Sequence, residues 1–132
     1  MTTIQNTTEI NRNVGDVFAF LTDLNNHEQL MPENIYNWSS TADEARFTIQ
    51  NMAKLALKVE ERVVNQLIKL IPSEKAPFEV TLRWELQAVS DTVTKATFVI
   101  DAELNMMMKM IATGPLQKLI DFQVNKLKAV LG

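Results

Sequence analysis

The sequence predicts an α+β domain: an antiparallel sheet of about seven strands, two short helices after the first strand, and a long C-terminal helix. Three observations predict it. The apolar period is helical from residue 14 and becomes a two-residue alternation from residue 34. Turn-rich stretches then recur about every ten to fourteen residues, the spacing of an antiparallel meander. At the C-terminal end the helical period returns.

Residues 2–10 form the first expected strand, with Ile4 and Ile10 on its apolar face. Val14, Val17, Phe18 and Leu21 then follow the i, i+3, i+4, i+7 spacing of a helix, with Asn13 as N-cap and Asp16 three residues later. A second helical piece covers Asn25–Leu30 and ends at Pro32. Ile35–Trp38 is a short strand before a turn at residues 39–43. Ala45, Phe47 and Ile49 alternate in the next strand, and Leu55, Leu57 and Val59 in the one after. Leu67–Ile71 follows, bounded by a loop from Pro72 to Pro77. Residues 78–87 alternate most clearly: Phe78, Val80, Leu82, Trp84 and Leu86 face one way, while Glu79, Thr81, Arg83, Glu85 and Gln87 face the other. The last strand, 94–104, repeats this with Ala96, Phe98, Ile100, Ala102 and Leu104. Leu116, Leu119, Ile120, Leu127, Val130 and Leu131 then share one face of a helix. Extended backwards, that face would receive Lys109, so Gly114-Pro115 is expected to break the phase and leave Met106–Met110 as a separate turn, loop or kinked first segment.

A chain of 132 residues with 46% apolar content suits one domain over residues 1–132 with a sizeable core. Thirteen basic and sixteen acidic residues give a net charge of −3, which argues against a nucleic-acid binder. With no cysteine there is neither disulfide framework nor thiolate metal site, as suits a reducing compartment. A cytoplasmic location without stable membrane insertion is expected, because the first ten residues lack a secretory plan and no apolar run is long enough to span a bilayer. Glycine occurs only at 15, 114 and 132, so no phosphate-cradling loop forms and no cofactor is expected.

The candidate functional features have competing structural readings. Met106, Met107, Met108 and Met110 place four of the seven methionines within five residues, as core packing, as a pliable cavity entrance, or as a membrane or partner contact. Phe47, Phe78, Trp84, Phe98 and Phe122 are expected on the inner sheet face or its helix partner, with Tyr36 and Trp38 at a pocket rim. His27, the only histidine, is expected to be exposed at a helix start, where a general base lacks an orienting partner. No histidine pair or oxygen-ligand loop suggests a metal. Glu60, Arg62, Arg83, Glu85, Asp101 and Glu103 alternate against the apolar set and are expected on the solvated face; a bulge would turn Arg83 or Asp101 inward. Residues 105–132 carry four lysines and one aspartate, net +3, expected as a solvated surface rather than a membrane contact.

The element order is that of the helix-grip fold, in which a strongly curved antiparallel sheet wraps the last helix. The stretch from Ile10 to Asp23 with Val17-Phe18-Ala-Phe-Leu21-Thr-Asp23, the Leu30-Met31-Pro32 step and Gly114-Pro115-Leu116 resemble the START-like (SRPBCC) superfamily, which includes polyketide cyclases and birch-pollen-allergen relatives. The resemblance in order covers nearly the whole chain, and its short motifs speak to fold more than to function.

The resemblance implies a cavity between sheet and C-terminal helix. The expected function is binding of a hydrophobic or amphipathic small molecule there, lipid-like or polyketide-like, lined by Phe47, Leu57, Leu82, Trp84, Phe98, Ile100, Met106, Met110, Leu119, Ile120 and Leu127. The alternatives are a cyclase- or dehydratase-like enzyme acting on a polyketide or aromatic substrate, and a protein-interaction domain with a closed cavity. No catalytic residue can be carried over, and the scarcity of catalytic residue types favours binding over catalysis.

Overall fold

The computed structural model describes residues 1–132. One sheet holds β1 (Thr2–Ile10), β2 (Ile35–Ser40), β3 (Glu44–Ile49), β4 (Ala53–Val63), β5 (Leu67–Pro72), β6 (Val80–Ser90) and β7 (Val93–Ala102). Its order is β1-β7-β6-β5-β4-β3-β2, with every neighbouring pair antiparallel. Strands β2 to β7 are thus a simple meander, and β1 closes it against β7. Helix α1 (Val14–Leu21) and a 3-10 helix (Leu24–Leu30) connect β1 to β2, and helix α2 (Met106–Leu131) ends the chain.

Alternation decides which face of the sheet is covered. Val80, Leu82, Trp84 and Leu86 are buried on one side of β6, as are Ala96, Phe98, Ile100 and Ala102 on β7. Ala112, Leu116, Leu119, Ile120, Gln123, Val124 and Leu127 form the buried stripe of α2, and the apolar members join the sheet residues in one core. Register shifts at Tyr36/Ser39, Val59/Glu61 and Ala88/Ser90 interrupt the ladders, and such bulges add bend and twist to a sheet that curls around a helix. With few glycines, the chain uses asparagine where the backbone is left-handed: Asn37 in β2, Asn51 between β3 and β4, and Asn65 between β4 and β5.

Polar contacts tie the C-terminal half of α2 to β1. Lys128 Nζ donates to the Glu9 carbonyl at 2.7 Å, Asn6 Nδ2 donates to Asp121 Oδ1 at 3.0 Å, and Asn11 N–H donates to the Gly132 carbonyl at 3.0 Å. At the other end, Asn105 caps the helix by accepting from Met108 N–H.

Of the readings open for Met106–Met110, the turn and the loop need correction, as does the place of Arg62. Met106–Met110 is helical, and α2 runs from Met106 to Leu131 with Pro115 inside it. Proline removes only the donor to the Ile111 carbonyl, and Ile111 is exposed, so water can serve that oxygen. Arg62 leaves the outer charged face but stays exposed. The shift between Val59 and Glu61 places it opposite buried Ile68, on the inner face of the sheet. There its Nη2 donates to the carbonyls of Thr22 (2.9 Å) and Ala42 (3.2 Å) and to Asp43 Oδ1 (2.8 Å), while Nε donates to Thr22 Oγ1 (2.7 Å). A cation thus meets the carbonyl end of α1.

Gly114 has open space where a Cβ would stand, so Gly114→Ala should raise stability by about 0.5–1 kcal/mol in urea unfolding. Leu116→Ala removes a side chain from the centre of the buried stripe and should lower it by about 2–5 kcal/mol.

Candidate functional site

Between α2, the 3-10 helix and the inner face of the sheet lies a cavity of about 20 Å³. Its walls come from every layer: Leu24, His27 and Met31 in and after the 3-10 helix; Trp38, Ala45, Phe47, Leu57, Leu70, Leu82 and Phe98 on the sheet; Leu119 and Gln123 on α2. Ten of these twelve are hydrophobic, leaving His27 and Gln123 as the polar groups. All are buried except Met31 and Trp38, so the cavity reaches solvent past those two. Trp38 stacks on Phe47 with centroids 5.4 Å apart, and its Nε1 donates to Ser40 Oγ, which donates to Asn25 Oδ1 in the 3-10 helix. This chain of bonds joins the two sides of the mouth.

His27 is 3% exposed, contrary to its expected place on the surface. The reason is local geometry. Three residues per turn put Leu24, His27 and Leu30 on one face of a 3-10 helix, and that face is buried. Its Nε2 lies 2.7 Å from the Leu21 carbonyl, which can only accept, so Nε2 carries the proton and Nδ1 is an acceptor in the neutral ring. Burial pushes the His27 pKa below its ordinary value; the bond to Leu21 and the nearby Asp23 oppose the shift without reversing it.

Gln123 is 2% exposed. Its Nε2 reaches only the Met31 sulfur, at 3.7 Å, and its Oε1 has no hydrogen-bond partner within the protein. The Trp84 Nε1 is also buried and unpaired, but Trp84 lies behind the cavity wall, stacked on Phe98 at 4.6 Å.

Of the residues expected to line the cavity, Phe47, Leu57, Leu82, Phe98 and Leu119 do so. Trp84, Ile100, Ile120 and Leu127 are core residues outside its lining. Met106 and Met110 are corrected outright: they are 83% and 85% exposed, on the first two turns of α2. The buried stripe of α2 begins only at Ala112, so the preceding turns extend beyond its main contact; Met108 alone of the cluster packs against the core. Phe122 is also corrected, since it is exposed on the outward side of α2. Sequence reasoning missed His27, Gln123, Met31, Leu24, Ala45 and Leu70 as lining residues. The Leu24-His27-Leu30 spacing carried the signal for the first.

On the face away from α2, Arg83 forms ion pairs with Glu85 and Asp101, and Thr3 Oγ1 donates to Asp101 at 2.6 Å. The Thr3 hydroxyl and then Arg83 hold Asp101 below the usual carboxylate range, while the bond to Glu85 leads in raising Arg83. This network joins β1, β6 and β7 across the sheet. No three His, Asp or Glu side chains come together in a metal-binding arrangement.

A curled antiparallel sheet gripping a terminal helix over a small apolar space is the helix-grip fold. No family model matches the chain, and no curated protein matches it in sequence. Solved structures do match. A START superfamily protein from Mycobacterium smegmatis is 15% identical with a TM-score of 0.70, over 98% of this chain and 96% of that one. The Aha1 dimer from Colwellia psychrerythraea is 17% identical with a TM-score of 0.71, over 99% and 96%. The di-domain ARO/CYC BexL from the BE-7585A biosynthetic pathway is 10% identical with a TM-score of 0.74, over 98% of this chain and 46% of BexL, so this chain spans about half of it. At these identities the likeness establishes the fold, a START/SRPBCC-like one, and nothing beyond it. No helix is long and apolar enough to cross a membrane.

The buried histidine sets a pH dependence. Because the folded-state pKa lies below the ordinary 6.5, the unfolded chain takes up the proton first as pH falls. Stability should therefore be full above that value and decline below it, by at most about 1.4 kcal/mol per pH unit from this one group. Urea midpoints measured at about pH 7.5 and pH 5 should differ in that sense. The difference should shrink in His27→Gln, and an equal difference in the variant would reject the assignment.

Proposed function

We propose that the protein binds a hydrophobic or amphipathic small molecule, lipid-like or polyketide-like, in the space between the sheet and α2. The observation that carries this reading is a cavity with apolar walls and two buried polar groups, one with an unpaired acceptor. About 20 Å³ admits one water molecule, so binding requires the mouth at Met31 and Trp38 to open. Phe47, Leu57, Leu82, Phe98 and Leu119 are the proposed apolar contacts. Affinity would come mainly from removing ligand and wall area from water, at about 25 cal/mol per Å² before the entropy of association is subtracted.

The cyclase- or dehydratase-like alternative needs polar groups converging on a substrate. His27 and Gln123 are the two candidates for such roles, in a space that would also have to open. A protein-interaction role draws support from a separate observation, the exposure of Met106, Met107, Met110 and Ile111 together on the first turns of α2.

Methyl NMR of methionine-labelled protein separates interior from surface binding. Titration with a medium-chain fatty acid should shift the Met31 methyl saturably, and Trp38 emission should change with it in a Trp84→Phe background. Shifts confined to Met106, Met107 and Met110 would reject the interior site and favour the exposed turn.

A further inference from the structure

We infer that Gln123 is a specificity-determining anchor that selects ligands carrying a hydroxyl or similar hydrogen-bond donor on an otherwise apolar body. The inference rests on the container reading above and adds the chemical class of the ligand.

The buried stripe of α2 runs Ala112, Leu116, Leu119, Ile120, Gln123, Val124, Leu127. Gln123 is its one polar member, at a place where leucine or methionine would fill the same space. A buried acceptor without a partner loses its hydration and gains nothing in return, so an apolar replacement of similar shape would be neutral or stabilising. No partner from the protein compensates: the amide nitrogen has only a thioether sulfur, a weak acceptor, and Oε1 has nothing.

The second polar group of the cavity is differently placed: His27 Nε2 is already committed to the Leu21 carbonyl. Gln123 therefore supplies the unpaired acceptor, Oε1, and a loosely held donor, Nε2. An alcohol or phenol supplies the missing proton; a hydrocarbon of the same shape leaves the acceptor unpaired. Sites built to hydrogen-bond a ligand discriminate against the analogue lacking that group because their own polar atoms are then stranded.

The test compares naphthol with methylnaphthalene, similar in size and differing in the donor, against the wild type, Gln123→Met and Gln123→Leu; the second variant serves if the first does not fold. Affinities are measured by fluorescence titration, and Met31 methyl shifts report interior binding. The ratio of the two dissociation constants in the wild type should favour naphthol by about three- to tenfold more than in either folded variant. The variants should also melt at a higher temperature than the wild type without ligand, which a purely structural glutamine would not allow. If both compounds bind inside and the ratio is the same in wild type and variants, the anchor inference fails while the container reading stands. If neither compound shifts Met31, both fail.

Discussion

The seating of the α2 stripe in the hollow of the sheet is the contact on which the rest of the molecule depends. The inner face of the meander presents Leu55, Leu57, Ile68, Leu82, Trp84, Phe98 and Ile100, and without the helix these would meet water. An antiparallel sheet tolerates one solvated face, as the Arg83–Asp101–Thr3 network illustrates on its outer side, but not two when one is this apolar. The bulges in β2, β4 and β6 serve the same contact by helping a broad sheet curl around a helix. The curl has a local by-product at β4, where the shifted register turns Arg62 inward beneath the end of α1. The chain leading into the 3-10 helix is therefore held by a guanidinium and not by a strand ladder.

Much of this architecture is legible in the amino-acid pattern because a half-buried strand advertises itself every second residue. The alternation through β6 and β7 and the helical spacing in α1 correctly indicate which faces are buried. What is not legible depends on a change of period that the alphabet of apolar and polar residues does not mark. A bulge adds one residue to a strand without altering its composition, so Arg62 reads as belonging to the outer face when it shares the face of Ile68. The 3-10 helix has a period of three, and a reading tuned to four-residue helical steps passes over the alignment of His27 with Leu24 and Leu30. The methionine run fails for another reason. Four methionines in five residues look like core or cavity, yet burial depends on whether the sheet extends beneath them, and the buried stripe of α2 starts only at Ala112.

The same considerations separate the cavity from the methionine cluster. The Gly114-Pro115 step invites a hinge that would make Met106–Met110 a door, but the exposed turns lie outside the cavity walls, so their motion would uncover nothing. The lining residues of α2, Leu119 and Gln123, stand two residues either side of Asp121, whose bond to Asn6, with the Lys128 bond, ties this part of the helix to β1. Lifting that part of the helix would strip the stripe from the sheet and lose the contact that organises the fold. Opening at the other wall exposes far less. The 3-10 helix is one short element, and β2 is an edge strand with a register shift and a left-handed Asn37.

Met31 links that wall to the polar interior. Its sulfur is the sole protein partner of the Gln123 amide, and its half-buried side chain stands at the mouth with Trp38. Displacing Met31 outward therefore does two things at once: it enlarges the cavity and releases the amide nitrogen from a weak acceptor. A thioether suits this position, because its three rotatable bonds let it withdraw without moving the backbone and its bond to the amide is easily given up. A leucine would block the mouth more rigidly and offer the amide nothing, and a stronger acceptor would hold the amide closed against any ligand. In the container reading proposed above, the weakness of the Met31–Gln123 contact would let one side chain serve as both stopper and placeholder.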